Sequence, residues 1–297
     1  MQARALRLAA LVLVAALTPF AASGLTINLE LVKAGDTVPG TDVKAGNKPD
    51  GTSGTGTLEA ILAVAADKWK LAIQDDFMLK VYFGWAPRDD NDVLAATGVS
   101  KQDGTPKRIV EVGILFDNDG STPWWLDSTP SVVGEKFFRL AKDSKDLGGG
   151  PINVNFVYSS PTGGTADNPP DAKDHYDLMT VAMHELGHAL GLASAYSAFT
   201  DETDDDDIDV KEPRSNPGTT IVMDGTHIKK IGTGKQPLMY DAYSTGERRM
   251  ISTVDCLAVA QVSSFTKTSC ATVPEPSTFA LIASGLALLL ALQRPSA

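Results

Sequence analysis

Two histidines and a glutamate stand together in the stretch His184-Glu185-Leu186-Gly187-His188. Residues four apart on an α-helix share one face, one turn apart, so the two imidazoles could bind one zinc ion. Glu185 follows the first histidine, where its carboxylate can reach a metal-bound water without binding the metal itself. The pattern predicts a zinc centre with Glu185 as general base. The other interpretation is a histidine pair that faces the core or solvent without a metal.

The segment that contains the motif has the pattern of a helix. Across residues 176–192 apolar side chains recur at spacings of three and four, which is typical of an amphipathic helix. A similar pattern spans residues 58–73, well before the motif. A third helix is predicted at residues 251–262, where Ser252 and Asp255 are spaced as a capping box.

Strands are predicted between the first helix and the motif, at residues 77–85, 108–116 and 151–158. A helix, several strands and a later helix with the motif predict an α+β fold with a mixed sheet. The stretch before the first predicted helix is rich in Gly, Thr and Asp, so residues 24–56 are expected to be a flexible lead-in. The folded domain is then expected to span residues 57–270.

The overall charge narrows the range of partners. The chain has 26 basic and 37 acidic residues, which gives a net charge of -11. An acidic protein repels phosphate backbones, so nucleic acid is not an expected partner. The length of 297 residues is enough for one domain with a substantial core.

The N-terminus has the pattern of a secretory signal peptide spanning residues 1–23. Arg4 and Arg7 precede an apolar stretch, residues 8–20, and small residues follow it. A signal peptidase is expected to cleave before Gly24. The alternative is an uncleaved anchor, but the apolar stretch is shorter than the ~20 residues that a membrane span requires.

The C-terminal residues follow the order of a Pro-rich spacer, an apolar run and a basic residue. Pro274-Glu275-Pro276 precedes apolar residues 279–292, and Arg294 follows. This order resembles the PEP-CTERM sorting signal of exopolysaccharide-producing Gram-negative bacteria. The resemblance implies that residues 271–297 are a sorting tail with a hydrophobic helix, held transiently in the membrane, recognised by an exosortase and removed. The protein is then expected in the cell envelope or the extracellular matrix. The other interpretation of the apolar run is a buried core helix.

The nine residues from His184 to Leu192 resemble the first part of the zinc motif of metzincin metallopeptidases, including Gly191 three residues after the second histidine. Downstream, the stretch around Met239 (Pro-Leu-Met-Tyr) resembles their Met-turn, which forms a hydrophobic floor beneath the metal. The resemblance covers about residues 57–262. It implies a metzincin-like fold, with a twisted sheet, an active-site helix and a smaller, irregular C-terminal subdomain that ends in a helix.

The chain departs from the metzincin pattern at Ser194, the usual place of the third ligand. Serine is a poor zinc ligand because it is neutral and not readily deprotonated. The leishmanolysin branch resembles the present arrangement, since its third histidine follows a long insertion and shortly precedes the Met-turn. That likeness implies His227 as the third Zn²⁺ ligand. Asp201, close after the turn at Gly191, is the alternative. His227 could otherwise be an ordinary loop histidine.

With three protein ligands and one open position, bound zinc would activate a water molecule for attack on a peptide bond. Glu185 would take the proton of that water and deliver it to the leaving amine. The resemblance thus implies a zinc endopeptidase with a protein or peptide substrate, and residues 151–158 are expected to bind it by strand addition. The alternative is a catalytically inactive surface or matrix protein on the same scaffold, which the departure at Ser194 supports.

Two further features lie outside the motif. Cys256 and Cys270 are an even pair in an exported protein, which favours one disulfide over two free thiols. The acidic run from Asp201 to Asp207 offers hard oxygen ligands, so Ca²⁺ is a second candidate cofactor and a calcium-stabilised adhesion domain a third functional class. A solvated acidic loop is the other interpretation of this run.

Overall fold

The computed structural model describes residues 24–87, 93–131, 137, 139–160 and 172–270. The predicted signal peptide (1–23) lies outside these residues. So does the predicted sorting tail (271–297), with the hydrophobic helix expected at 279–292. Within the described ranges, no helix is long and apolar enough to cross a membrane.

Helices and strands are mixed along the chain, which confirms the α+β class. The α-helices are α1 (Leu58–Ala72), α2 (Leu178–Ala189), α3 (Ser197–Glu202) and α4 (Thr253–Val262). The strands are β1 (Thr26–Leu31), β2 (Met78–Ala86), β3 (Ala95–Asp103), β4 (Arg108–Asp117), β5 (Trp124–Trp125), β6 (Arg139–Ala141), β7 (Ser144–Asp146), β8 (Pro151–Asn153), β9 (Val157–Ser159), β10 (Tyr176–Asp177), β11 (Asp207–Asp209), β12 (Thr220–Asp224), β13 (His227–Ile228) and β14 (Glu247–Arg249). A 3-10 turn, Ala172–Asp174, precedes β10.

The largest sheet has four strands in the order β1-β2-β4-β3. β1 and β4 each run parallel to β2, whereas β3 runs antiparallel to β4 at the edge, so the sheet is mixed as predicted. α1 packs against α2, and the side chain of Trp69 is completely buried. Its indole N–H donates to the carbonyl oxygen of Met183 at 2.8 Å, which joins α1 to the helix that contains the histidine motif.

The expectation of a flexible lead-in over residues 24–56 is wrong for its first part. Thr26–Leu31 forms β1 and pairs with β2 from Thr26 opposite Met78 to Leu31 opposite Phe83. The physical reason is the alternation of Leu25 and Ile27, which are buried, with polar neighbours that face outward.

The loop after β1 also packs on the sheet rather than extending into solvent. A Cβ atom built on Gly98 would lie 2.1 Å from the carbonyl oxygen of Gly40. One built on Gly113 would lie 2.1 Å from that of Pro39. Only glycine permits this close approach of two backbones, so the glycines of β3 and β4 hold the loop against the sheet.

The strand predicted at residues 151–158 is two strands. β8 pairs with β7, whereas β9 pairs with β6 and β14 in a separate sheet. Between them Asn155 is completely buried, and its side-chain amide donates to the carboxylate of Asp143 and to the carbonyl oxygen of Lys235. These bonds hold the backbone between β8 and β9 as it passes from one sheet to the other.

The C-terminal part of the described chain has short strands and ends near α4. The predicted capping box is present, since the carboxylate of Asp255 accepts hydrogen bonds from the N–H group of Ser252 at 2.8 Å and from its hydroxyl at 2.6 Å. The predicted disulfide between Cys256 and Cys270 is confirmed, with Cα atoms 5.3 Å apart. It links α4 to the segment that follows it.

Candidate metal centre

The helix that contains the motif is fixed at its N-terminus by a buried carboxylate. Asp177 caps α2 by accepting hydrogen bonds from the N–H group and the hydroxyl of Thr180, at 3.1 and 2.8 Å. The same carboxylate is bound by the guanidinium of Arg248 at 2.9 and 2.6 Å. Arg248 is only 1% exposed and also pairs with Asp127 at 2.9 Å. Since every residue of α2 is buried, the helix has little freedom to move its side chains.

The two histidines of α2 point their Nε2 atoms at each other. His184 Nδ1 lies 2.9 Å from the carbonyl oxygen of Leu238, and His188 Nδ1 lies 2.5 Å from that of Leu192. A carbonyl oxygen can only accept, so these partners assign a hydrogen to each Nδ1 and leave a lone pair on each Nε2. The two Nε2 atoms are 2.9 Å apart. Two lone pairs at this distance repel each other unless a cation lies between them, so the arrangement suits a metal ion.

His227 is brought to the same point from a distant part of the chain. It begins β13, opposite Asp224 in the hairpin with β12. Its ring stacks on that of His184 with centroids 5.1 Å apart, and lies edge-on to that of His188 at 4.9 Å. One nitrogen from each of the three histidines lies within 4.8 Å of the other two. The three imidazoles could therefore hold one metal ion together.

Asp201, the alternative third ligand, does not belong to the group formed by the three histidines. Asp201 is exposed on α3, and Ser194 is exposed at the cleft that contains the histidines. Across the described residues, the three histidines are the only group of three or more His, Cys, Asp or Glu side chains that converges in this way. The carboxylates of the acidic run from Asp201 to Asp207 form no such group there.

The electrostatics of the centre favour neutral imidazoles. Burial lowers the pKa of His184 well below its ordinary value, and the nearby His188 and His227 lower it further. Burial and then His227 lower the pKa of His188 to about 3. Burial also lowers the pKa of His227, although the charges of Asp241 and Asp224 oppose this shift. All three side chains are thus held in the form that binds metals.

Glu185 lies beside the histidines and is tied to the edge strand of the large sheet. Glu185 is 4% exposed, and its Oε2 atom accepts a hydrogen bond from the hydroxyl of Thr97 in β3 at 2.7 Å. The same hydroxyl lies 3.1 Å from the carbonyl oxygen of Glu185. Nothing in the sequence marked Thr97 as a site residue, because its strand is mostly polar and was not predicted.

The histidines and Glu185 open into a cleft of about 1090 Å³. Residues 95–99 of β3 form one side of it, and Asp241, Tyr243 and Thr245 contribute to another. The expectation that residues 151–158 provide the edge strand is wrong, since none of these described residues lines the cleft. β3 occupies that position because it is the antiparallel strand next to α2.

Comparison of the chain with protein-family models, with curated proteins and with solved structures finds no significant match. The function of the chain is therefore inferred from its own sequence and from the geometry of the site.

The turn at Met239 lies against the motif helix. Met239 is completely buried, and a Cβ atom built on Gly187 would lie 2.3 Å from its sulfur. The carbonyl oxygen of the preceding Leu238 accepts hydrogen bonds from His184 Nδ1 and, at 3.2 Å, from the hydroxyl of Tyr243. The Tyr243 ring also lies edge-on to that of His184 at 5.2 Å.

Proposed function

We propose that this chain is an exported zinc endopeptidase of the metzincin type, in which His184, His188 and His227 bind the metal. The observation that carries the proposal is the convergence of three imidazoles, of which His184 and His188 direct their Nε2 atoms at each other at 2.9 Å. Zinc is the metal that three histidines and one open position suit best. A glutamate next to this group in an open cleft is the arrangement that a metallopeptidase needs.

Bound zinc would polarise the scissile carbonyl group and lower the pKa of a water molecule. Proton transfer and substrate binding depend on residues of the chain. Glu185, held by Thr97 at 2.7 Å, accepts the proton of the attacking water and later passes it to the leaving amine. Among the described strands β3 pairs only with β4, so its outer edge can bind an extended peptide through backbone hydrogen bonds.

Further features of the chain support the metzincin type and the export that we propose. Met239 supports the metzincin type, because it is completely buried and packs against Gly187 of the motif helix. The signal peptide at residues 1–23 and the sorting tail at residues 271–297 support export, processing by an exosortase and transient attachment to a Gram-negative membrane. The disulfide between Cys256 and Cys270 is consistent with an oxidising compartment.

The zinc content of the purified protein tests the metal centre. We expect about one zinc per wild-type chain, a loss of metal in His227→Ala, and full metal in His175→Ala, which removes the histidine outside the group. Full zinc in His227→Ala would overturn this ligand set. A loss in Asp201→Ala alone would restore the alternative ligand.

A peptidase assay tests the reaction separately. Glu185→Gln keeps the shape of the side chain but cannot accept the proton, so we expect full zinc and a rate at least about 100-fold lower. Zinc binding without hydrolysis of any peptide by the wild type would favour the inactive surface or matrix protein instead.

A further inference from the structure

We propose that Asp255, the capping residue of α4, is a positioning residue for the metal ligand His184 and acts on it through the peptide group between Leu238 and Met239. This inference rests on the proposed metal centre but not on peptide hydrolysis. It assigns to α4 a part in metal binding, although none of its residues belongs to the histidine group.

The connection consists of two hydrogen bonds on one peptide group. Asp255 Oδ1 accepts a hydrogen bond from the N–H group of Met239 at 2.9 Å. The carbonyl oxygen of the same peptide group, that of Leu238, accepts one from His184 Nδ1 at 2.9 Å. Asp255 Oδ2 accepts a third bond from the N–H group of Leu238 at 3.2 Å, which fixes the turn on both sides of this peptide.

A planar amide transmits charge from one hydrogen bond to the other. A carboxylate at the N–H group draws electron density toward the carbonyl oxygen, because the amide is a resonance system. A more negative oxygen is a stronger acceptor, so hydrogen bonds in such a chain strengthen one another. His184 Nδ1 therefore donates to a carbonyl that is polarised by a buried negative charge. The effect on the imidazole is to fix its tautomer and orientation and to make Nε2 a better metal ligand.

Asp255 is suited to this role by its surroundings. It is completely buried and accepts from four donors, two on Ser252 and one each on Leu238 and Met239. Its place in the first turn of α4 puts its negative charge at the positive end of the helix dipole. The next residue, Cys256, is cross-linked to Cys270, so the backbone that carries the carboxylate is held in place.

The second ligand provides an internal comparison. His188 Nδ1 also bonds to a carbonyl oxygen, that of Leu192. The N–H group of that peptide belongs to Ala193 and donates to the carbonyl oxygen of Gly191 at 3.0 Å, which carries no net charge. Of these two histidines, His184 alone is linked through its peptide partner to a carboxylate, so a change at Asp255 should affect His184 and leave His188 as it is.

The test compares the zinc dissociation constants of wild type and Asp255→Asn, measured by competition with a chelator. We expect binding to weaken about 10- to 100-fold in Asp255→Asn. Asp75→Asn is the matched control: Asp75 is also a buried carboxylate that accepts backbone hydrogen bonds, from Thr266 and Lys267, but it has no link to Leu238. Its zinc affinity should equal that of wild type even where its stability falls.

The hydrogen-bonded imidazole protons give a second readout in the zinc-loaded protein. The Nδ1–H resonance of His184 should shift in Asp255→Asn, whereas that of His188 should not. Asp255→Glu keeps the charge and the capping-box chemistry, so it should fold and bind zinc more tightly than Asp255→Asn.

The outcomes separate the two proposals. A wild type that binds no zinc would overturn the metal centre and this inference with it. A wild type that binds zinc, with affinity unchanged in Asp255→Asn, would overturn this inference alone. Equal shifts of both histidine resonances, or a loss of affinity in Asp255→Glu as large as in Asp255→Asn, would also contradict it.

Discussion

The hydroxyl of Thr97 lies 2.7 Å from Oε2 of Glu185, and this hydrogen bond joins the edge strand β3 to the motif helix. The bond fixes the Oε2 atom of the Glu185 carboxylate. The strand proposed to bind the substrate thus also orients the proposed general base. Residues of the two elements lie 88 positions apart in sequence, so only the folded sheet creates this contact.

Replacement of Thr97 by valine should lower kcat about tenfold or more and leave the zinc content unchanged. The reason is the loss of a hydrogen bond to a charged group, worth about 1.5–3 kcal/mol. The measurement is steady-state peptide hydrolysis at fixed zinc. Thr97→Ser keeps the hydroxyl and is the control, with a rate expected near that of wild type. Equal losses in both variants would show that packing at β3, not the hydrogen bond, is responsible.

Gly187→Ala should destabilise the protein by about 1–3 kcal/mol, because the new methyl group would overlap the sulfur of Met239. Urea unfolding of the metal-free protein measures this change. The double variant Gly187→Ala with Met239→Ala removes the overlap, so its destabilisation should be smaller than the sum of the two single changes. Strict additivity would mean that the two residues do not contact each other in solution.

The metal-free protein should lose stability as the pH falls below 6.5. Burial lowers the folded-state pKa of the histidines, so the unfolded chain binds protons that the folded chain does not. The free energy of unfolding therefore decreases with falling pH, and for His188 this continues from 6.5 down to a pKa of about 3. The slope from one such group is at most about 1.4 kcal/mol per pH unit.

Thermal melts between pH 7.5 and 5 in excess chelator check this dependence. His188→Gln removes one of the titrating groups, so its melting temperature should change less steeply with pH than that of wild type. A melting temperature that rises as the pH falls would have the wrong sign for buried neutral histidines.

Removal of the disulfide by the double change Cys256→Ala and Cys270→Ala should lower the free energy of unfolding by about 3 kcal/mol. That magnitude follows from the short loop, with a sequence separation of 14, that the bond closes in the unfolded chain. Denaturant titration of the zinc-free protein measures it, with wild type in reducing buffer as a second comparison. A double variant as stable as the oxidised wild type would contradict the expectation.

Much of the fold follows from local pattern. α1, β2, β4 and α4 lie within one or two residues of their predicted bounds, because each has a long, regular apolar period or a capping signal. β3 was missed because its sequence, AATGVSKQD, has few apolar residues and is only half-buried. β1 is short and directly precedes a loop rich in Gly, Thr and Asp, so the whole of residues 24–56 has the composition of a flexible segment.

The site was predictable where its residues are close in sequence. His184, Glu185 and His188 follow from helical spacing alone, whereas His227 was selected by resemblance to a family. Its place depends on the hairpin of β12 and β13, which no local pattern specifies. Thr97 could not be identified, because it reaches Glu185 only through the order of strands in the sheet. Asp255 was identified as a cap, but its bonds to the turn at Met239 are long-range contacts.

The last described residues of the chain contact the end of the first helix. The backbone N–H groups of Thr266 and Lys267 donate to the carboxylate of Asp75, which lies 191 positions earlier than Thr266. Ile73, at the end of the first helix, forms a bridge with Thr268. A chain whose last residues are not yet synthesised lacks these partners, and it lacks α4, whose Asp255 binds the turn at Met239. The order of synthesis therefore delays completion of this turn, and of the histidine group beside it, until nearly the whole described domain has been made.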